Sequence, residues 1–372
     1  MIGRCTGGDG AREPITPSTM RIGIDARELG GTPTGVGRYL SGLLAQWLGT
    51  PGTPHEFVLY AHQPLDLQAG TRRIIPGSGG SWWEQVRLPS AVRRDGLDVL
   101  FCPGYTTPLA TGVPTVVAIH DLSFAVHPEW FGPREGLRRR WLTSRSAQTA
   151  RAVVTISRFT ASELEAVYGL PAERVHVIPP GITPPSHAAA KGQLPQVLYA
   201  GSIFNRRHVP DLIEAFVPLA RRHREACLEI VGDNRSRPYQ DLNAQIQATG
   251  LPAQIRWRRW LPDQELGALY GSARAFAFLS SYEGLGLTPL EALSAGVPPV
   301  LLDTPVARES CGEAALYVPS GDRQAVTAAL ELLLFDAATR QRLLEAAPSV
   351  LDRYSWPSAA AETLRGIEQA AR

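Results

Sequence analysis

Ser280-Ser281-Tyr282-Glu283-Gly284-Leu285-Gly286-Leu287-Thr288-Pro289-Leu290-Glu291-Ala292-Leu293 is the stretch on which the reading of this chain turns. The apolar run before it, Ala273–Leu279, has the length and composition of a buried strand, and a helical pattern opens near Pro289. The loop between them carries Glu283, Gly284 and Gly286. Glycines let a backbone approach a diphosphate closely. Exposed N–H groups at a helix N-terminus, together with the helix dipole, favour an anion there. Glu283, at the loop start, can accept hydrogen bonds from sugar hydroxyls. Glu291, eight residues later, can reach the hydroxyls of a ribose. Thr288-Pro289-Leu290-Glu291 also reads as a capping box, with Thr at N-cap, Pro at N1 and Glu at N3. A cap explains Glu291 but neither Glu283 nor the two glycines.

Outward from this segment the chain alternates strand and helix, the pattern of a parallel sheet covered on both faces. In the first half, Met20–Asp25 reads as a buried strand and Gly30–Tyr39 as a glycine-rich loop. An amphipathic helix with Tyr39, Leu40, Leu43, Leu44 and Trp47 on one face follows. Strands are expected at Phe57–Tyr60, Arg73–Ile75, Asp98–Cys102, Thr115–His120, Val153–Ile156 and Val175–Ile178, and helices at Trp82–Arg94, Glu135–Thr149 and Thr160–Tyr168. Pro179–Pro195, rich in proline, glycine and small residues, reads as a linker. The alternation restarts with strands at Val197–Ala200, Cys227–Val231, Ile255–Trp260, Ala273–Leu279 and Pro299–Leu302, and a long amphipathic helix, Ser358–Ala371, closes the chain. The fold class is therefore α/β, two Rossmann-like parallel-sheet domains facing each other across a cleft. The division is 20–185, 186–353 and a tail, 354–372, with residues 1–19 a disordered leader or Met20 the true start. Open parallel sheets bind ligands at the carboxyl ends of their strands, near the switch in strand order.

The chain has 372 residues, enough for two domains, with 44% apolar and 19% charged residues, an ordinary globular mix. A formal charge of +2 speaks against a nucleic-acid partner, and no apolar run has the length of a membrane span. Cys5, Cys102, Cys227 and Cys311 are far apart and suggest neither a zinc site nor a disulfide framework; a reducing cytoplasm fits them. Residues 1–19 lack the apolar core of a signal peptide. Of the 37 basic residues one is a lysine, Lys191, so an arginine where another protein has lysine carries little meaning.

Glu283-x7-Glu291 followed by a helix resembles the signature of the retaining glycosyltransferase family 4, of the GT-B fold, in its mannosyltransferase-like branch. The resemblance implies that Glu283 faces the transferred hexose, that Glu291 faces the donor ribose, and that the backbone of Gly284, Leu285, Gly286, Leu287 and Thr288 cradles the phosphates. Ala200–Arg207 resembles the segment in which the family carries a basic pair on the donor diphosphate; Arg207 and Arg206 are its counterparts here, beside Ser202. Gly35 and Gly37 stand in a loop like the family's N-terminal glycine loop. Ala118-Ile119-His120-Asp121-Leu122 is similar to the family's H-D-L segment, whose histidine points into the cleft. The catalytic candidates are thus His120, Asp121 and Glu283. Ile156–Phe159, Arg174–Gly181 and Tyr354–Pro357 resemble the family as well, so the likeness extends over almost all of residues 20–372. It implies a nucleotide diphosphate sugar as donor, GDP-mannose favoured, and a glycan or lipid-linked glycan as acceptor. It also implies retention by same-face attack, no cofactor and no metal, and a last helix that crosses back to the first domain.

Other readings compete. A nucleotide-sugar epimerase or a catalytically silent module keeps the same fold. A phosphorylase needs a lysine for pyridoxal phosphate, and Lys191 sits in the linker. A dinucleotide oxidoreductase needs G-x-G-x-x-G, which Gly30–Gly37 does not supply. Arg138-Arg139-Arg140-Trp141, with Arg134 and Arg145, makes a basic, aromatic-bearing helix; it reads as a solvated face, or as a contact with anionic lipid headgroups on the inner membrane face or with a lipid-diphosphate acceptor.

Overall fold

The computed structural model describes residues 19–31, 34–49, 53–66, 69–185 and 194–372. The first sheet has the strands β1 Arg21–Asp25, β2 Glu56–Ala61, β3 Thr71–Ile74, β4 Val99–Cys102, β5 Thr115–Ile119, β6 Ala152–Thr155 and β7 Val175–Val177, in the order β3-β2-β1-β4-β5-β6-β7. The second has β8 Gln196–Ala200, β9 Cys227–Val231, β10 Ile255–Arg258, β11 Ala275–Phe278, β12 Pro299–Leu302 and β13 Leu316–Val318, in the order β10-β9-β8-β11-β12-β13. All the described pairings are parallel. Central strands such as Val99-Leu100-Phe101-Cys102 and Gln196-Val197-Leu198-Tyr199-Ala200 are buried along their whole length, because helices cover both faces. The order reverses between β1 and β4 in one sheet and between β8 and β11 in the other, and each reversal opens a crevice at the strands' carboxyl ends.

The helices are α1 Gly35–Gly49, α2 Leu88–Asp95, α3 Ser123–Val126, α4 Pro133–Thr149, α5 Arg158–Tyr168, α6 Val209–Arg222, α7 Leu242–Ala248, α8 Asp263–Ser272, α9 Leu287–Ser294, α10 Pro305–Cys311, α11 Arg323–Phe335, α12 Ala337–Leu351 and α13 Trp356–Ala371. The expected helix Trp82–Arg94 is two pieces: a π-helical turn, Trp83–Arg87, runs into α2, where Pro89 has no N–H to give the preceding turn. The sequence reading passed over β13, α10 and α12. The leader up to residue 18, Lys191 and linker residues 186–193 lie outside the described residues.

The chain crosses between the sheets twice. After α12 it returns, and α13 packs on α1 and the β4–β6 face of the first sheet. Trp47 donates its indole N–H to the Ala360 carbonyl at 2.9 Å, and Ile367 is fully buried. The two crossings are tied together: the Ile182 N–H donates to the Tyr354 carbonyl at 3.1 Å, and the Trp356 indole donates to Thr183 Oγ1 at 3.1 Å. Beside them Glu309 of α10 accepts from the N–H groups of Arg158 and Phe159 at 2.7 and 2.8 Å, so a carboxylate from one domain caps α5 of the other.

Asp25 ends β1 in a buried cluster. Arg27 Nη2 lies 3.0 Å from Asp25 Oδ2 and 2.5 Å from Glu84 Oε1, so one guanidinium serves two carboxylates. Burial pushes the Asp25 pKa up to about 6 against the pull of Arg27, with Glu84 adding to the rise. The folded state therefore binds this proton more tightly than the unfolded chain does. The resulting stabilisation is complete below the unfolded value of 3.8 and is lost as pH rises through about 6. Asp25→Asn removes that titration. Urea unfolding of both proteins is expected to show the wild type losing on the order of 2 kcal/mol relative to the variant as pH rises from about 4 to about 7.

Candidate active site

The two crevices meet in one cleft cavity of about 840 Å³, within the size range of small-ligand sites. Its walls come from segments that follow the strands at both reversals: Arg27 and Glu28 after β1, Gly104–Thr106 after β4, Ser202 after β8 and Glu283–Thr288 after β11. His120 and Asp121 follow β5 and line it too.

On the second-sheet side, Gly201 turns the chain out of β8 with φ of 136°, a conformation open to glycine. Arg207 then reaches back into the cavity. Its Nε donates to Glu283 Oε1 at 2.8 Å, its Nη1 donates to the Ser202 carbonyl at 2.7 Å, and its face lies 4.8 Å from the Phe278 ring centre. Ser280 Oγ also donates to Glu283 Oε1, at 2.9 Å. Burial alone drives the Glu283 pKa up, but the charges of Arg207 and Arg206 and the hydrogen bonds from Arg207 and Ser280 outweigh it and hold the carboxyl below its ordinary range. Glu283 is therefore an anion at neutral pH, with Oε1 committed and Oε2 left to accept. Removing one partner of a buried pair such as this costs roughly 3–5 kcal/mol, so Gln is a safer probe than Ala at Glu283.

The capping box is overturned. α9 begins at Leu287, not after Thr288, and its N-cap is Gly286, in the left-handed region with φ of 86° and no side chain to bond the first turn. Glycine alone makes the turn, and Pro289, in the first turn, lacks an N–H that has no intrahelical partner anyway. The N-terminus of α9 thus meets the cavity bare, with Leu287 and Thr288 in its wall.

On the first-sheet side, His120 is buried between Tyr39 and Tyr105, both edge-on, at ring separations of 4.8 and 5.5 Å. Its Nε2 lies 2.7 Å from the Pro103 carbonyl. A carbonyl only accepts, so the proton is on Nε2 and Nδ1 keeps its lone pair. Burial lowers the His120 pKa, against the hydrogen bond to Pro103, and the ring is neutral at pH 7. Asp121 is locked in place: it accepts from the Ser123 N–H at 2.9 Å, from Ser123 Oγ at 2.7 Å and from the Tyr105 hydroxyl at 3.0 Å.

Of the residues singled out from the sequence, His120, Asp121, Glu283, Gly35, Ser202, Arg207, Gly284, Leu285, Gly286, Leu287 and Thr288 line the cavity. Three do not. Gly37 is inside α1, with its N–H bonded to Thr34 Oγ1 at 2.9 Å and no room for a side chain beside the Glu28 carbonyl. The Arg206 guanidinium stacks on Phe204 and Trp130, at 4.4 and 5.4 Å from their ring centres. Glu291 bridges the cleft instead, with Arg38 Nη1 of α1 at 3.2 Å from its Oε1. Residues the sequence reading missed include Arg38, Tyr105, Arg235 and the Arg27–Glu84 pair, all in the cavity wall. Arg38 had one readable signal, its place in the glycine-rich loop's helix; Glu84 had none, since only the fold brings it to Arg27. Among the described residues no His, Cys, Asp and Glu side chains gather in a group able to hold a metal ion.

The two walls touch at Gly284. A methyl group there would overlap the His120 carbonyl oxygen, and the Gly284 carbonyl accepts from Ser157 Oγ at 2.5 Å and Thr160 Oγ1 at 3.3 Å. Nearby, Tyr282 accepts from the Leu122 N–H at 3.0 Å and donates to Glu163 Oε2 at 2.5 Å.

Comparison with known proteins agrees with this architecture. The pattern described as Glycosyl transferases group 1 matches residues 186–350, and that described as Glycosyltransferase Family 4 matches residues 35–184. The alpha-D-kanosaminyltransferase of Streptomyces kanamyceticus is 30% identical over 69% of this chain and 70% of its own. The chain belongs to glycosyltransferase family 4. The O-antigen chain mannosyltransferase B of Escherichia coli is 27% identical to this family-4 enzyme over 68% of the chain and 70% of its own length. Among solved structures, Anabaena HepE in complex with UDP and glucose superposes with a TM-score of 0.69 at 18% identity, over 93% of this chain and 99% of that one, a likeness of fold. The family-4 chain thus has the GT-B architecture expected from its sequence.

Gly284→Ala tests the contact between the walls. It is expected to leave the fold intact but to hold Glu283 away from His120, lowering kcat/KM by about 100-fold, the cost of a displacement near 1 Å. Unchanged kinetics in a folded variant contradict the role given to this contact.

Proposed function

We propose that this glycosyltransferase moves a hexose, mannose by preference, from a nucleotide diphosphate sugar, GDP-mannose by preference, to a hydroxyl of a glycan or lipid-linked glycan, with retention at the anomeric carbon. The observation that carries the reading is the placement of Arg207, Glu283 and the bare start of α9 on one wall, facing His120 on the other.

The leaving group is a nucleoside diphosphate, and its departure needs charge neutralisation rather than a base. Arg207, the N–H groups that open α9 and the dipole of that helix supply it, so the reading invokes no metal and no cofactor. The acceptor oxygen forms a bond to the anomeric carbon as the carbon–phosphate-oxygen bond breaks. The acceptor proton passes to the departing diphosphate on the same face of the sugar. Glu283 holds hexose hydroxyls through Oε2; tied through Oε1 to Arg207 and Ser280, it is a binding anion and not a nucleophile. His120, with Nδ1 free and neutral, accepts from a hexose or acceptor hydroxyl. Glu291 exchanges Arg38 for the donor ribose. Asp121 fixes the loop that carries His120. Gly35 lets the start of α1 lie beside the phosphates, and Arg206 acts on Glu283 through its charge, from its stacked position.

Mannose is favoured by the name of the Escherichia coli relative; the name of the Streptomyces relative favours an amino hexose. No described helix is long and apolar enough to cross a membrane, and the reading places the enzyme in the cytoplasm or on the inner membrane face.

Thermal unfolding with GDP-, UDP-, ADP- and dTDP-sugars tests the donor. One nucleotide sugar is expected to raise Tm, since a ligand selective for the folded state stabilises it, and Arg207→Ala and Glu291→Ala are expected to abolish the shift. No shift with any donor favours a silent module. Assignment of the product anomer by NMR tests retention; an inverted product refutes the same-face mechanism.

A further inference from the structure

α4 lies along the edge of the cavity and shows two different faces. At about 100° per residue, Arg134, Leu137, Arg138, Trp141 and Arg145 fall within an arc of about 100°. All five are exposed; Leu137 stands 63% and Trp141 59% open to solvent. The opposite side, with Gly136, Thr143, Ser146 and Ala147, is buried. Along the flank Arg138, Arg139 and Leu142 line the cavity, joined by Thr143 from the buried side.

A solvated helix face has no need of a tryptophan and a leucine among arginines; tryptophan and arginine also suit a protein-binding face, but there charge gathers at the rim, whereas here the arginines are interleaved with the apolar side chains. Long cationic side chains flanking exposed apolar ones is the pattern of a helix lying in a lipid headgroup layer. A second segment extends it. Arg138 bonds Ser81 Oγ, and the next residue, Trp82, is 70% exposed, with Val86 exposed one turn on. The charge is local: α4 carries five arginines and one glutamate, whereas the whole chain has a formal charge of +2. That glutamate, Glu135, is already bonded to Arg138 and Arg139, and Arg134, Arg140 and Arg145 remain for outside anions.

We infer that Trp82, Leu137, Trp141, Arg134 and Arg145 form a docking surface for an anionic phospholipid bilayer, on which α4 lies parallel to the membrane plane. Tryptophan and leucine enter the headgroup–acyl boundary and the arginines meet lipid phosphates. Because the flank of the same helix lines the cavity, docking sets the acceptor side of the cleft at headgroup level, beside Arg138 and Arg139, which would exchange their shared Glu135 for an anionic group of a membrane-held acceptor. The docking itself does not depend on the proposed reaction; only the meaning given to the acceptor rests on that reading.

Co-sedimentation of the full chain with phosphatidylcholine vesicles, with and without phosphatidylglycerol, tests the surface. Binding is expected with phosphatidylglycerol, weak without it, and reduced by high salt. Arg134→Gln with Arg145→Gln is expected to weaken it by roughly thirtyfold, a little over fivefold for each charge. Trp82→Ser with Trp141→Ser is expected to weaken it on both vesicle types. None of these four residues lines the cavity, so the thermal shift with nucleotide sugars is expected to persist in both variants and reports separately on the catalytic reading. No binding, equal binding to both vesicle types, or binding unchanged by the substitutions overturns the proposal. So does light scattering that shows an oligomer dispersed by the same substitutions, which assigns the face to a second copy of the chain.

Discussion

Gly284 brings two independently built sheets into backbone contact. Its missing side chain leaves room for the His120 carbonyl, and its own carbonyl takes hydroxyl hydrogens from Ser157 and Thr160. Three parts of the site flank this junction: Glu283 before it, the start of α9 after it, and His120 and Asp121 on the facing loop. Neither sheet alone holds both an anion-binding helix end and a histidine facing it. The chemistry proposed for the cleft therefore depends on an approach that a single methyl group would prevent.

The charges in the cleft follow a common arrangement. Three cleft arginines are matched by carboxylates from elsewhere in the fold: Arg207 by Glu283, Arg27 by Asp25 and Glu84, Arg38 by Glu291. Burying a lone charge costs far more than burying a matched one, so these pairs let the walls be both charged and closed. Two of the three are within one sheet's territory. Arg38–Glu291 spans the gap, and its arginine is also the more exposed of the two partners, which leaves it the pair most easily exchanged for a ligand.

The fold was readable because parallel strands buried on both faces leave unmistakable apolar runs, and because glycine and proline punctuate their ends. β8, β9, β11 and β12 were all expected within two residues or so of where they lie. α12 escaped for a physical reason: Pro348, a usual helix breaker, lies inside it and its apolar positions are partly alanine, although Asp336 caps it by accepting from Ala338 and Thr339. At the site, spacing along the chain located the loop between β11 and α9 but misplaced the helix start, since Thr-Pro-x-Glu carries the same letters as a cap whether or not a glycine two residues earlier has already made the turn. Long-range partners such as Glu84 on Arg27, or Trp130 over Arg206, have no sequence signal at all.

The double crossing of the chain has a mechanical meaning. A lone tether would act as a swivel, letting the domains spin and tilt in any direction. Here two strands of backbone pass side by side, stitched by Ile182 to Tyr354 and by Thr183 to Trp356. Such a ribbon flexes easily across its flat side and resists both twisting and edgewise bending. Any relative motion of the two domains would thereby be confined to a single arc, and a return along that arc would bring Gly284 back to the same carbonyl.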